Sequence, residues 1–414
     1  MAAGVSPVLS RRAVLGVAAG ALLSTPVLAQ SSSASFPAWV AKFKARARAR
    51  GIDDSVYDAV MRQVVPDTSV YAADKAQPEF QEEVWQYLNR RVSDWRIETG
   101  RQKAMQYASL FARIEETFGV DRRIMLGYWG MESAFGEVVE NPRHMKPVFN
   151  SLSALAWGEP RRRKYWETEL LNALVIVQRG WGTPQEMVGS WAGAMGHTQW
   201  MPEVWLNMGV DFEGNGRISP FGRPDDALAG TANYIMKRGK YRRGEPWGFE
   251  ARVPDGFDTQ LADNRTWRSL DTWASRGVAM VDGKSIAGYD AEARLWLPGG
   301  AGGPALLLLP NFYAVRSYNP SSSYALAVCH LGDRVMGEGP FVTPWPNGER
   351  AMTLAEIQEV QVRLTRAGFD TGGTDGRVGS GTMRAVRAFQ QQAGIEPADG
   401  YPGLKVLNAL RGGR

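Results

Sequence analysis

The sequence predicts a mainly α protein with a small β insertion and a separate helical module at its C-terminus. Three observations carry this. From Phe36 to about Gly119, and again from Val120 to Arg243, apolar residues recur at the spacing of helices, as in Trp39-Val40 with Phe43 and Val56 with Val60-Met61. From about Ala251 to Pro310 the pattern changes to short apolar runs broken by glycine, as strands require. A stretch rich in proline, glycine and polar residues, 341–350, then precedes a second helical pattern.

Taken in order, the chain opens with an address label. Ser10-Arg11-Arg12 precedes an apolar run from Ala13 to Leu28, and Val27-Leu28-Ala29 offers a small-residue cleavage site before Gln30. The run has 16 residues, short of the ~20 a spanning helix needs. Residues 1–29 therefore read as a signal peptide, twin-arginine or Sec, and the mature protein as exported and soluble. An uncleaved anchor is the alternative. The body of 30–340 is long enough for a substantial core, and 44% hydrophobic with 22% charged residues excludes disorder.

Residues 36–119 predict a helical lobe, and Val120–Arg243 the helices that carry the chemistry. Arg294-Leu295-Trp296-Leu297 and Leu306-Leu307-Leu308-Leu309, separated by a glycine-rich stretch, predict a hairpin. After the linker 341–350, the module 351–414 shows one amphipathic helix on Leu354, Ile357, Val360-Gln361 and Leu364. Turns follow at Gly368-Phe369 and Gly372–Gly376, and a further helix on Thr382, Ala385-Val386 and Phe389-Gln390.

The formal charge of +5 falls to +3 once Arg11 and Arg12 leave. So mild an excess suits weak attraction to an anionic polymer, and no basic stripe with interleaved aromatics points to nucleic acid. Cys329 is the single cysteine, in the apolar run Tyr324–Cys329, and reads as a small buried hydrophobe. His144, His197 and His330 lack metal-ligand spacing, so no transition metal is expected.

The chemistry centres on Gly127-Tyr128-Trp129-Gly130-Met131-Glu132-Ser133-Ala134-Phe135-Gly136. One carboxylate lies among large apolar side chains at the end of a predicted helix. Lost hydration disfavours its charged form, which suits a general acid. A second stretch, Gly189-Ser190-Trp191-Ala192-Gly193-Ala194-Met195-Gly196-His197-Thr198-Gln199-Trp200-Met201-Pro202, has small residues that let backbones approach, with Ser190 and Gln199 as neutral hydrogen-bonding groups. Helix packing is the alternative reading of Ser190.

Together these segments resemble the paired signature of the B-type lytic murein transglycosylases, lysozyme-like enzymes that cut the glycan strand of peptidoglycan. Gln77-Pro78-Glu79-Phe80 with Trp85–Leu88, Ala232–Ile235 with Gly244–Gly248, and Asn311-Phe312 through Tyr318-Asn319 to Ser323-Tyr324-Ala325 agree, in order, over about Phe36 to Gly339. The last module is similar to the three-helix peptidoglycan-binding domain of wall hydrolases, including Asp399-Gly400. The resemblance implies a lysozyme-like α+β catalytic domain with a small β region, a periplasmic location, and peptidoglycan glycan strands as partner. Other cell-wall enzymes are further partners to test. No Cys stands near residue 29, so the lipid anchor of some members is not expected.

Ordinary glycoside hydrolysis needs two carboxylates. Glu137 and Glu140 follow Glu132 at positions that make neither a convincing partner. The resemblance implies that none is needed: the substrate's N-acetyl oxygen stabilises the positive sugar, and its 6-hydroxyl replaces water. Glu132 is then acid and afterwards base. Ser190 and Gln199 match positions that hold the sugar and its acetamido group, and Tyr318, Asn319 and Tyr324 match residues lining the same cleft. Tyrosines in such a run also fit a core.

Asp211-Phe212-Glu213-Gly214-Asn215-Gly216-Arg217-Ile218-Ser219 resembles a calcium loop, with oxygen ligands at alternating positions and glycine at the sixth. Gly222 stands where the bidentate Glu belongs, and Asp225 is placed to substitute. The expectation is no required cofactor, with a structural calcium on Asp211, Glu213, Asn215, Arg217 and Asp225 weighed against a metal-free turn. Two other functions stay open: a lysozyme-type hydrolase using the same acid with water, and a non-catalytic wall-binding scaffold.

Overall fold

The computed structural model describes residues 35–75, 83–139, 141, 145–300, 303–345, 350–395, 398 and 400–412. The expected leader, 1–29, and the Gln77–Phe80 segment lie outside the described residues. By its contacts the chain forms two compact units, Met1–Pro78 with Glu132–Lys237, and Glu79–Met131 with Arg238–Arg414. This division cuts across the expected helical lobe: its first three helices, Phe36–Ala49, Asp54–Met61 and Val70–Lys75, fall in one unit and the next three, Val84–Arg91, Asp94–Gln106 and Ala108–Phe118, in the other. Periodicity fixes which residues face a core, not which core.

In the first unit, the helices Val148–Gly158 and Arg163–Gln178 are buried over most of their length, with Leu152, Leu155, Leu170 and Leu174 fully buried. Two short strands, β1 (Lys146–Pro147) and β2 (Val188–Gly189), pair antiparallel and lead into the second signature segment. Helix Pro202–Met208 and the wholly buried helix Asp225–Tyr234 follow, the latter running into a wider turn at Ile235–Gly239.

The second unit holds the β insertion. Strands β3 (Gly248–Arg252), β4 (Arg268–Ser269), β5 (Ala279–Met280), β6 (Glu292–Trp296) and β7 (Ala305–Leu308) form one sheet in the order β4-β6-β7-β3-β5. The predicted hairpin is β6 and β7, with Leu295 opposite Leu307 and Trp296 opposite Leu306. Strand β7 is buried at every position, which is why its sequence is a run of leucines rather than an alternation. Leu270, Trp273, Ile286, Leu295 and Leu307 form the insertion's own core, and Trp273 Nε1 donates to Ala293 O at 3.0 Å.

The C-terminal module has helices Leu354–Arg366, Ser380–Ala393 and Leu404–Gly412 around Val360, Leu364, Val386 and Leu407. Thr353 starts the first with a capping box: its Oγ1 accepts Glu356 N at 3.2 Å, and Glu356 Oε2 accepts Thr353 N at 2.9 Å. The segment expected to link the module is a docked strap over its described part. Glu250 accepts the amides of Val342 and Thr343, each at 2.7 Å, and Phe341 stacks on His330 at 4.2 Å. Cys329 is fully buried, and burial pushes its thiol up from the usual range.

Candidate active site

Glu132 stands on the last turn of helix Arg122–Ser133, one residue past the division between the two units. Asp121 starts this helix by accepting Arg123 N at 2.8 Å. Gly127 is required in it, because a Cβ there would meet Val328 O at 2.0 Å. After Ser133 the backbone turns through three successive left-handed residues, Ala134 (φ 52°), Phe135 (φ 60°) and Gly136 (φ 94°). Two of these are not glycine, and such a conformation persists only where surrounding contacts impose it.

Ser133 supplies the contacts. Fully buried, its Oγ donates to His197 O at 2.6 Å and accepts Gly136 N at 3.0 Å. The first bond joins positions 64 residues apart and ties the acid's turn to the second signature segment. Glu132 itself is half-buried. Glu137 lies exposed beyond the turn, and Glu140 falls outside the described residues. Two other acids of this unit serve the fold: Glu169 Oε2 accepts Glu203 N at 2.9 Å, and Glu167 is paired with Arg46.

The second segment is folded tightly on itself. Ser190 N donates to Ala194 O at 2.8 Å, Ser190 Oγ accepts Ala194 N at 3.2 Å, and Gly193 N donates to Ser190 O at 2.8 Å. Gly189 is needed because a Cβ would sit 2.4 Å from Ala194 O. Met195 and Trp200 then exchange both backbone hydrogen bonds at 2.8 Å, which puts Gln199 in the left-handed region at φ 54°. Its Nε2 donates to Gly196 O at 3.0 Å, and Trp200 Nε1, beneath, donates to Thr231 Oγ1 at 2.9 Å. Ser190 and Gln199 are both half-buried. The structure thus joins the Glu132 turn to the segment bearing Ser190 and Gln199, and backbone strain falls at Ala134, Phe135 and Gln199 alike.

In the second unit, Tyr318 and Tyr324 are 3% and 4% exposed. Their rings lie 4.9 and 6.3 Å from that of Tyr128, whose hydroxyl donates to Val315 O at 2.7 Å. They are interior rings, packed with Tyr128 in a buried aromatic cluster. Asn319 is half-buried, and its Oδ1 accepts Ser321 N at 3.2 Å in the turn that starts helix Ser322–Val335.

The Asp211 loop is closed by its own backbone. Asp211 accepts Gly214 N, Asn215 N and Gly216 N at 2.8, 3.0 and 2.8 Å. The carboxylate that returns to the loop is Asp226, which accepts Phe212 N, Glu213 N and Ser219 N at 2.7, 3.2 and 2.9 Å. Asp225, expected in that place, is held by Arg223, and Arg217 reaches away to Trp181 O at 2.6 Å and Glu186 at 3.0 Å. Asn215 Oδ1 accepts Arg217 N at 2.9 Å.

Comparison with known proteins agrees with the two signature segments. The Transglycosylase SLT domain model matches residues 35–333, and a peptidoglycan binding domain model matches 353–410. The chain belongs to the Transglycosylase SLT domain family. It is 41% identical to SltB3 from Pseudomonas aeruginosa, solved in complex with NAG-anhNAM-pentapeptide, over 91% of this chain and 99% of that one, with a TM-score of 0.71. It is 30% identical over 254 residues to the membrane-bound lytic murein transglycosylase B of Escherichia coli, covering 60% of this chain and 66% of that protein. The E. coli lytic transglycosylase SLT35, solved in complex with calcium, is 27% identical over 72% of this chain and 92% of that one, with a TM-score of 0.61. The two E. coli proteins are lytic transglycosylases by name, and the mainly α, lysozyme-like reading with a C-terminal wall-binding module stands.

Sequence reasoning missed Ser133 and His197 as parts of the site. Each is an ordinary residue in sequence, and only the 64-residue contact between them gives either a role. The left-handed pair Ala134-Phe135 carried no signal at all, since neither residue type favours that backbone.

Proposed function

We propose that this family member cleaves the β-1,4 bond between N-acetylmuramic acid and N-acetylglucosamine in peptidoglycan, without water, leaving 1,6-anhydromuramoyl ends. Glu132 donates its proton to the glycosidic oxygen as the bond to the muramoyl C1 breaks. The acetamido oxygen of the same sugar stabilises the positive centre, and the 6-hydroxyl then attacks C1 while Glu132 takes its proton. Acid and base are one residue, restored at the end.

The observation that carries this reading is the placement of Glu132: half-buried, on a strained turn pinned by Ser133 to the segment of Ser190 and Gln199. Those two side chains hold the acetamido group and sugar in the attacking geometry. No step calls for a cofactor. The module 351–414 retains the enzyme on the glycan polymer. The leader sequence favours export to the periplasm, and among the described residues no helix is long and apolar enough to cross a membrane.

The test is mass spectrometry of products from sacculi treated with the protein and with Glu132→Gln. Muropeptides one water lighter than hydrolytic products, absent with the variant, are the expected result. Reducing ends would make the protein a lysozyme-type hydrolase. Binding without release by either protein would make it a scaffold.

A further inference from the structure

Helices Val84–Arg91 and Asp94–Gln106 meet the C-terminal module within the second unit. Asn89 Nδ2 donates to the Tyr401 hydroxyl at 3.0 Å, the Tyr401 ring stands edge-on to Trp85 at 5.3 Å, and Leu354 N donates to Asp94 at 3.2 Å. Side chains of both parts dock the module, and Arg90, Arg91, Arg96 and Arg377 gather beside the contact. Arg377 lies over Trp95 at 4.1 Å, and Arg90 and Arg91 lie over Tyr87 at 5.8 and 5.6 Å. Arg96 enters among them, its Nη1 donating to Arg90 O at 3.4 Å and its Nε to Gly130 O at 3.2 Å.

Like charges brought together at half-buried positions repel and lose hydration, so such a cluster calls for a group of opposite sign. Among the described residues no carboxylate pairs with Arg91 or Arg96, and Arg91 Nε is buried with no hydrogen-bond partner. The acids close by in sequence are engaged elsewhere: Asp94 accepts Leu354 N and acts on Arg334, and Asp375 accepts the Arg377 amide at 2.9 Å. Burial of its head, then the charges of Arg91 and Arg90, pushes the Arg96 guanidinium down from its usual range. We propose that Arg91, Arg96 and Arg377 form a subsite for a free carboxylate on the peptide stem of a bound glycan strand, an inference that rests on the peptidoglycan-cleaving function argued above. The N-acetyl sugars of the strand carry no charge, so its stems bear the negative groups, and a guanidinium fork matches a carboxylate in shape as well as in sign. The placement fits a strand held by both parts: Gly130 stands two residues before Glu132 on the same helix, and Arg377 lies in the stretch 353–410 that matches the peptidoglycan binding domain.

The test is titration calorimetry with the full chain carrying Glu132→Gln, which leaves its ligands uncut. The probes are a soluble peptidoglycan tetrasaccharide with its peptide stems, the same fragment with the stem carboxylates amidated, and the stem-free tetrasaccharide. The intact fragment should bind about tenfold more tightly than either of the others at low salt, an advantage that shrinks as salt rises. Arg91→Gln and Arg377→Gln, each added to that chain, should remove most of the advantage, while Arg91→Lys keeps part of it because it retains the charge and loses the fork. Melting curves show which variants are folded, and Arg377 is exposed, so its variant carries the test if Arg91→Gln does not fold. Equal binding of the intact and amidated fragments overturns the proposal. An advantage that survives both glutamine substitutions does so too, and equal weakening of all three fragments by a folded variant would assign these arginines to docking of the module alone. The binding readout needs no turnover, and the products of the wild-type protein show separately whether the proposed reaction has failed.

Discussion

The turn that carries Glu132 and the three-helix module at the C-terminus are built in opposite ways. The module follows local rules: a capping box at Thr353 and Glu356, apolar residues at helical spacing, and Gly394 in the left-handed cap of its second helix. Its buried glutamines are satisfied within it: Gln361 accepts Gly376 N at 2.8 Å and donates to Arg377 O at 3.0 Å, and Gln390 accepts Gly400 N at 2.7 Å. The Glu132 turn breaks local rules, with Ala134 and Phe135 left-handed, and is held by a bond to a residue 64 positions away. A module that only has to hold can rest on propensity. A turn that must aim one carboxyl is fixed by distant contacts that cost local strain.

If that contrast is right, Glu132→Gln should cut formation of anhydro products by about a hundred- to ten-thousand-fold and leave Tm unchanged, because an amide fills the same half-buried space but cannot give up a proton. Product mass spectrometry and a melting curve check both halves. Leu364→Ala should do the reverse. Leu364 is fully buried in the module's core, so its truncation should cost about 2–5 kcal/mol. It should weaken retention on sacculi in a pelleting assay while cleavage of short soluble glycan fragments continues. A large Tm loss in the first variant, or lost cleavage of fragments in the second, would erase the distinction.

Ser133→Ala sharpens the comparison, since it removes the distant contact and leaves the acid in place. The change leaves the buried His197 carbonyl and Gly136 amide without their hydroxyl partner, at a cost of about 1–3 kcal/mol. Turnover should fall at temperatures where the variant remains folded, with the residual product still of the anhydro type. A variant equal to wild type in rate would show that the left-handed turn holds itself.

The same contrast explains what could be read beforehand. The module's first two helices, the β6 and β7 hairpin, and burial of Cys329 all follow from the period and type of neighbouring residues. Glu132, Ser190 and Gln199 were visible as a set through family resemblance, with the physical hint of one acid among aromatics. Hidden were the features that depend on distance in sequence: the partition of residues 36–118 between two units, the Ser133 to His197 bond, and the return of Asp226 rather than Asp225 to the loop. The tyrosines show the limit from the other side. Tyr318 and Tyr324 suit a sugar cleft and a core equally well by type, and only the folded chain shows both rings buried beside Tyr128.

Asp333 gives the smallest predicted effect and a second acid to set beside Glu132. It stands on the regular helix Ser322–Val335, and burial pushes its carboxyl up from 3.8 to about 6, although Trp247 Nε1 donates to it at 2.8 Å and Arg123 lies 3.5 Å away. Desolvation therefore outweighs its partners. A carboxyl whose folded value is raised favours the protonated form in the fold. Its contribution to stability is greatest below about pH 4 and is lost as pH rises through 6. Asp333→Asn imitates the protonated acid and can still accept from Trp247. The variant should match the wild type at pH 4 and exceed it at pH 7.5 by about 1 kcal/mol, a figure held low because the side chain is 17% exposed and its ion pair with Arg123 is given up. Melting curves from pH 4 to 8 check the sign. Product identity and rate should not change, because this acid serves a helix and the proposed reaction does not use it. An Asp333→Asn protein less stable at pH 7.5 would mean that the Arg123 pair outweighs burial.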